Sequence, residues 1–104
     1  MKARTRILVI EDDEAIAEFV QLELEHRGLR VRCAYDGPSG LEAVEEFDPS
    51  VVVLDIMLPG MDGVGVLKRL RQQGNKVPVI MLTARLNRAL TLAMSSSVSK
   101  GLVR

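Results

Sequence analysis

SVVVLDIMLPGMDG, residues 50–63, is the stretch whose reading decides the fold. Residues 50–54 form a short, almost wholly apolar run rich in β-branched Val. That is the pattern of a strand covered on both faces, as in a parallel sheet. Asp55 stands where the run stops, and Pro59, Gly60, Asp62 and Gly63 mark the loop after it. Open α/β sheets bind ligands at the carboxyl ends of their strands, so Asp55 is the first candidate functional residue.

The same texture recurs on both sides. RILVI at 6–10 reads as a buried strand ending in the acids Glu11, Asp12 and Asp13, and Asp13 suits the N-cap of a helix. Ile16, Phe19, Val20 and Leu24 recur at helical spacing until Gly28. Residues 29–34 alternate apolar and basic, as an edge or half-buried strand does. Asp36-Gly37-Pro38 reads as a turn, and Leu41, Val44 and Phe47 mark a second helix closed by Asp48-Pro49. Beyond the central loop, residues 64–72 form a third helix with Val66, Leu67 and Leu70 inward, ended by Gly74. Residues 77–82 are a fourth apolar strand, with Pro78 confined to its first positions because it cannot donate to a ladder. Four strands alternating with three helices predict right-handed βαβ units and a parallel sheet.

Composition fits one soluble domain with an aliphatic core. Of 104 residues, 47% are hydrophobic and only Phe19, Tyr35 and Phe47 are aromatic. No apolar run is long enough to span a bilayer, and MKARTR does not lead into a signal peptide. A single cysteine, Cys33, excludes an internal disulfide and points to a reducing, cytoplasmic setting. His26 reads as a surface helix residue, Cys33 as a small strand residue, and Met57 and Met61 as loop packing. The net charge of zero hides a division. Residues 1–62 hold all 14 acids with six basic residues, a net of −8, and residues 63–104 hold eight basic residues and no acid, a net of +8.

Three strand ends bring Glu11 with Asp12, Asp55, and Thr83 to one rim of a parallel sheet. Clustered carboxylates repel unless a positive group compensates them. With oxygen donors and neither His nor Cys nearby, the expected partner is a hard cation such as Mg²⁺. Such a centre suits phosphoryl transfer, and an Asp carboxylate can itself be the nucleophile. Each feature alone reads more simply as a helix cap, a strand-end acid or a turn hydroxyl. Their placement at successive strand ends favours the site.

These blocks resemble a known family. ILVIEDDEAI at 7–16, VVVLDIMLPGMDGVGVL at 51–67 and PVIMLTAR at 78–85 are similar, in order and spacing, to the receiver domain of bacterial two-component response regulators. The LTAR ending resembles the class whose output is a winged-helix DNA-binding domain. The resemblance implies a flavodoxin-like three-layer α/β fold. It implies that Asp55 accepts a phosphoryl group from a histidine kinase. Asp12 would ligate Mg²⁺ directly, Glu11 would act mainly through water, and the Met57 backbone carbonyl would complete the protein ligands. Thr83 would be the switch hydroxyl, with Ala84 the small residue beside it. The resemblance implies a phosphoryl-accepting signalling domain, able to hydrolyse its own acyl phosphate, and not a turnover enzyme.

The chain departs from the pattern after Arg85. The family continues with a fifth strand that carries an aromatic and ends in a Lys-Pro pair, then a last helix. Residues 86–104, LNRALTLAMSSSVSKGLVR, show neither, and Lys100 has no proline after it and lies too early. The expectation is a receiver-like core at 1–85, a non-matching, partly helical or loose tail at 86–104, and a sheet ordered 2-1-3-4. The strand at 77–82 would then be an exposed apolar edge able to pair two copies. Two rivals stand beside the signalling reading. One is a switch-defective receiver fragment serving only assembly. The other is a Mg²⁺-dependent phosphohydrolase, which would want an acid at position 57 where this chain has Met. No membrane contact is expected, and no direct nucleic-acid binding by this segment.

Overall fold

The computed structural model describes residues 4–82. Within them the chain alternates strictly: β1 (Arg6–Ile10), α1 (Glu14–Glu25), β2 (Arg30–Ala34), α2 (Gly37–Phe47), β3 (Val51–Asp55), α3 (Gly63–Gln72) and β4 (Val79–Leu82). The four strands form one parallel sheet in the order β2-β1-β3-β4, the order expected from the sequence. Val9 faces Cys33 on one side and Val53 on the other, and Val53 in turn faces Ile80. All four strands therefore present their carboxyl ends to the same rim.

Strand alternation splits the core into two layers. Leu8, Ile10, Val52 and Leu54 point to the side covered by α2 and α3, where Ala43, Val44, Val66 and Leu70 meet them. Ile7, Val9 and Val31 point to the other side and pack on Ala17 of α1. This is the flavodoxin-like three-layer α/β architecture.

The element boundaries follow local chemistry. Asp13 caps α1, its carboxylate accepting from the N–H groups of Ala15 (3.0 Å) and Ile16 (3.2 Å). α1 ends in a turn closed by Gly28, whose φ of +85° a side chain would resist. Three sequence readings are corrected. Asp36-Gly37-Pro38 is no free turn: Asp36 is the N-cap of α2, accepting from Ser39 N–H at 2.8 Å, and Pro38 sits in the first turn, where a missing N–H costs nothing. The third helix begins one residue earlier, at Gly63.

The last strand begins at Val79, two residues later than position 77. The Asn75 side chain accepts from Val77 N–H and the Arg71 guanidinium donates to the Val77 carbonyl, both at 2.9 Å. Both backbone groups of Val77 are thus engaged in the turn, and the ladder starts with the Pro78 carbonyl accepting from Val52 N–H. Among the described residues β4 is an edge strand, and Ile80 on it is 55% exposed. The tail assigned to 86–104 lies outside the described residues.

Candidate functional site

The register of the sheet builds the site. Ile10 and Leu54 are direct partners in the β1–β3 pair, so Glu11 and Asp55, each one residue further on, come to the rim side by side. Glu11 stays in line because its N–H donates to the Ala34 carbonyl of β2 at 3.0 Å. Ile56 does the same on the other flank, donating to the Leu82 carbonyl of β4 at 2.7 Å. Glu11 and Asp55 are both only 3% exposed, whereas Asp12 faces solvent. One carboxylate oxygen from each of the three lies within 4.8 Å of the others.

Backbone N–H groups orient two of these acids. Met57 N–H donates to Asp55 Oδ1 at 3.2 Å, and Asp13 N–H donates to Glu11 Oε2 at 3.1 Å. Burial pushes the Glu11 carboxyl up to about 8, against the Asp13 N–H that favours its charged form. The negative charge of Asp55 and hydrogen bonds shared with Asp55 and Asp12 push the same way as burial. The cluster thus disfavours a full set of negative charges, which either a proton or a cation would relieve.

The residues present fit a hard divalent ion. The donors are oxygens, two of the acids are buried, the third opens to water, and among the described residues no Cys or His joins the group. Glu11, Asp12 and Asp55 would hold Mg²⁺, an ion that commonly keeps several waters and takes a phosphate oxygen. Bound there, the ion would supply neutralisation of charge on a phosphoryl group.

The loop behind Asp55 is shaped by one missing side chain. Gly63 N–H donates to the Ile56 carbonyl at 2.7 Å, folding the loop back on the strand end. A β-carbon on Gly63 would fall on the Asp55 carbonyl oxygen and lie 2.7 Å from Ile56 Cα. Asp62 then caps α3 by accepting from Gly65 N–H at 2.8 Å. The sequence marks Gly63 as a turn residue, but its contact with Asp55 is tertiary and carries no local signal. Met57 corrects the sequence reading: the residue is 61% exposed and does not serve as loop packing, whereas Met61 packs on the core. Thr83 lies outside the described residues.

The site is thus a parallel α/β sheet with three acids at its carboxyl rim, one of them ending an inner strand. The chain belongs to the response regulator receiver domain family, whose model matches residues 7–102. It is 51% identical over 79 residues to the uncharacterized transcriptional regulatory protein YkoG of Bacillus subtilis, covering 76% of this chain and 35% of that protein. It is 47% identical over 85 residues to the transcriptional regulatory protein CseB of Streptomyces avermitilis, covering 82% of this chain and 36% of that one. The chain thus spans about a third of the length of these curated relatives. Among solved structures, the receiver domain of the Francisella response regulator 1452 is similar with a TM-score of 0.75 and 31% identity, over 92% of this chain and 80% of that one. No helix among the described residues is long and apolar enough to cross a membrane.

Proposed function

We propose that this receiver domain, working in the cytoplasm, takes a phosphoryl group on Asp55 from the phosphohistidine of a histidine kinase, with Mg²⁺ held by Glu11, Asp12, Asp55 and the Met57 carbonyl. The observation that supports it is the trio of carboxylates within 4.8 Å of one another at the strand ends, Asp55 and Glu11 among them buried. In the step, an Asp55 carboxylate oxygen attacks phosphorus, a P–O bond forms, and the P–N bond breaks with its electron pair returning to the imidazole. Asp55 is suited to this because Met57 N–H holds one of its oxygens and the Gly63 loop fixes its backbone. Thr83, one residue past β4, is the hydroxyl that would bond the new phosphoryl oxygen. The similar proteins are named transcriptional regulatory proteins, which supports a role in the control of transcription.

The phosphohydrolase reading loses ground at position 57. Rapid turnover wants an acid/base two residues after the nucleophile, and Met57 offers an exposed thioether. The test is incubation of the chain with acetyl phosphate, with Mg²⁺ or with a chelator. A hydroxylamine-labile phosphoryl adduct that needs Mg²⁺ supports the proposal. A folded protein that stays unmodified, or one modified equally with the chelator present, contradicts it.

A further inference from the structure

The division of charge seen in the sequence becomes a division of faces in the fold. On α1, Glu14, Glu18, Gln21 and Glu25 recur at spacings of four, three and four, which places them on one stripe of the helix. Glu14, Glu18 and Glu25 are exposed, and the helix has no basic residue. Tyr35, 44% exposed, stands beside this stripe and lines a shallow cavity with Glu14, Ala15, Glu18 and Gln21. On α3 the exposed side chains include Lys68, Arg69 and Arg71, followed by exposed Lys76, with no acid after the Asp62 cap.

Among the described residues none of these charges is in an ion pair, and their polar contacts are to neutral groups, Gln21 to Glu25 and Arg71 to the Asn75 and Val77 carbonyls. The ion pairs among the described residues are Arg6–Asp48 and Arg32–Glu46, neither of them on α1 or α3. The two helices also cannot reach each other, because α1 packs on the Ile7–Val9–Val31 layer and α3 on the opposite layer through Val66 and Leu70. Their lengths match: twelve and ten residues make rods of about 18 and 15 Å.

We infer that the acidic stripe of α1 docks on the basic face of α3 of a second copy of this chain. The same molecule carries both complementary surfaces, which favours a second copy over an unrelated polyanion. The exposed Tyr35 adds a ring over which an arginine of the partner copy can lie. Because the two surfaces differ and sit on opposite faces of the sheet, the contact is head-to-tail and not two-fold symmetric, so it can extend beyond two copies. Exposed pairs contribute little singly, so the association is weak and sensitive to salt.

Sedimentation velocity of the full chain tests this in low and high salt, about 20 and 500 mM, where the screening length falls several-fold. The expected result is an association constant at least about tenfold weaker at high salt. Two double variants at exposed positions, Glu18→Lys with Glu25→Lys and Lys68→Glu with Arg69→Glu, should each remain folded by circular dichroism and be monomeric alone. Mixed, the Lys68→Glu/Arg69→Glu protein offers normal acids on α1 but reversed charge on α3, and the other variant the converse. Their reversed surfaces match each other, so the mixture should associate again. A monomer at every salt concentration overturns the inference. So does association that survives either variant, or a salt-insensitive dimer that Ile80→Lys dissolves through the β4 edge. Salt-sensitive binding of duplex DNA by a protein that stays monomeric overturns it as well, in favour of a polyanion.

Discussion

Gly63 lies against the backbone of Asp55 so closely that a β-carbon at position 63 would overlap the Asp55 carbonyl oxygen. The tight return of the loop, closed by the 2.7 Å bond from Gly63 N–H to the Ile56 carbonyl, sets where the strand ends and where the acid sits. The obstacle to a side chain here is backbone, which cannot rotate away. Gly63→Ala should therefore cost about 1–3 kcal/mol of stability. It should also slow phosphorylation of Asp55 by acetyl phosphate, because the carboxylate moves with its backbone. Urea unfolding and a time course of adduct formation measure the two effects. An alanine variant with unchanged stability and rate would mean that the loop relaxes freely and does not position Asp55.

The acid cluster predicts how stability depends on pH without a cation. Burial pushes the Glu11 carboxyl in the folded protein up from its ordinary 4.5 to about 8, so between these values the folded state holds a proton that the unfolded chain has released. That contribution is fully present below pH 4.5 and is lost as pH rises through about 8. With chelator present, stability should fall across this window, by at most about 1.4 kcal/mol per pH unit for one proton. Glu11→Gln, neutral at every pH, should flatten the profile. Added Mg²⁺ should reduce the decline, because the cation binds more tightly as the proton leaves. Urea melts at a series of pH values decide it, and a stability that rises between pH 5 and 8 in chelator contradicts the sign.

Asp12 is the exposed member of the cluster, so it can be changed with little disturbance to packing. Asp12→Asn should weaken Mg²⁺ binding at least tenfold. At a fixed, near-saturating Mg²⁺ concentration that removes about 1.4 kcal/mol of cation-dependent stabilisation. In chelator the same variant should be no less stable than the parent, since one of three crowded charges is gone. Thermal melts with and without Mg²⁺ measure both. Equal Mg²⁺ stabilisation of variant and parent would place the cation elsewhere.

Cys33 should be inert in the folded protein. Burial, with the nearby charge of Glu25, pushes its thiol up to about 11, and its Sγ lies 3.5 Å from Gln21 Oε1. Thiolate is the reactive form, so labelling by a thiol-specific disulfide reagent at neutral pH should be slow until denaturant is added. Labelling as fast in the native protein as in the unfolded chain would show that β2 and α1 open there readily.

Much of this was legible in the residues because parallel strands leave strong local marks. The runs at 6–10 and 51–54 are apolar on both faces, and each stops at an acid, so topology alone brings Glu11, Asp12 and Asp55 to one rim. Boundaries were less legible where one signal serves two structures. Gly37-Pro38 suits a turn and a first helical turn equally, and only the Asp36 cap distinguishes them. Val77 looks like strand, but Arg71 and Asn75 engage its backbone from the preceding turn. The exposed Met57 and the contact between Gly63 and Asp55 are consequences of how the loop returns, which neither spacing nor composition records.

The most direct test of the central claim is intact-protein mass after treatment with acetyl phosphate and Mg²⁺, on the parent chain and on Asp55→Asn. A single phosphoryl adduct on the parent, none on the folded Asp55→Asn variant, and none with chelator is the predicted result. An adduct of equal yield on the variant, or none on a folded parent, would contradict Asp55 as the phosphoryl acceptor.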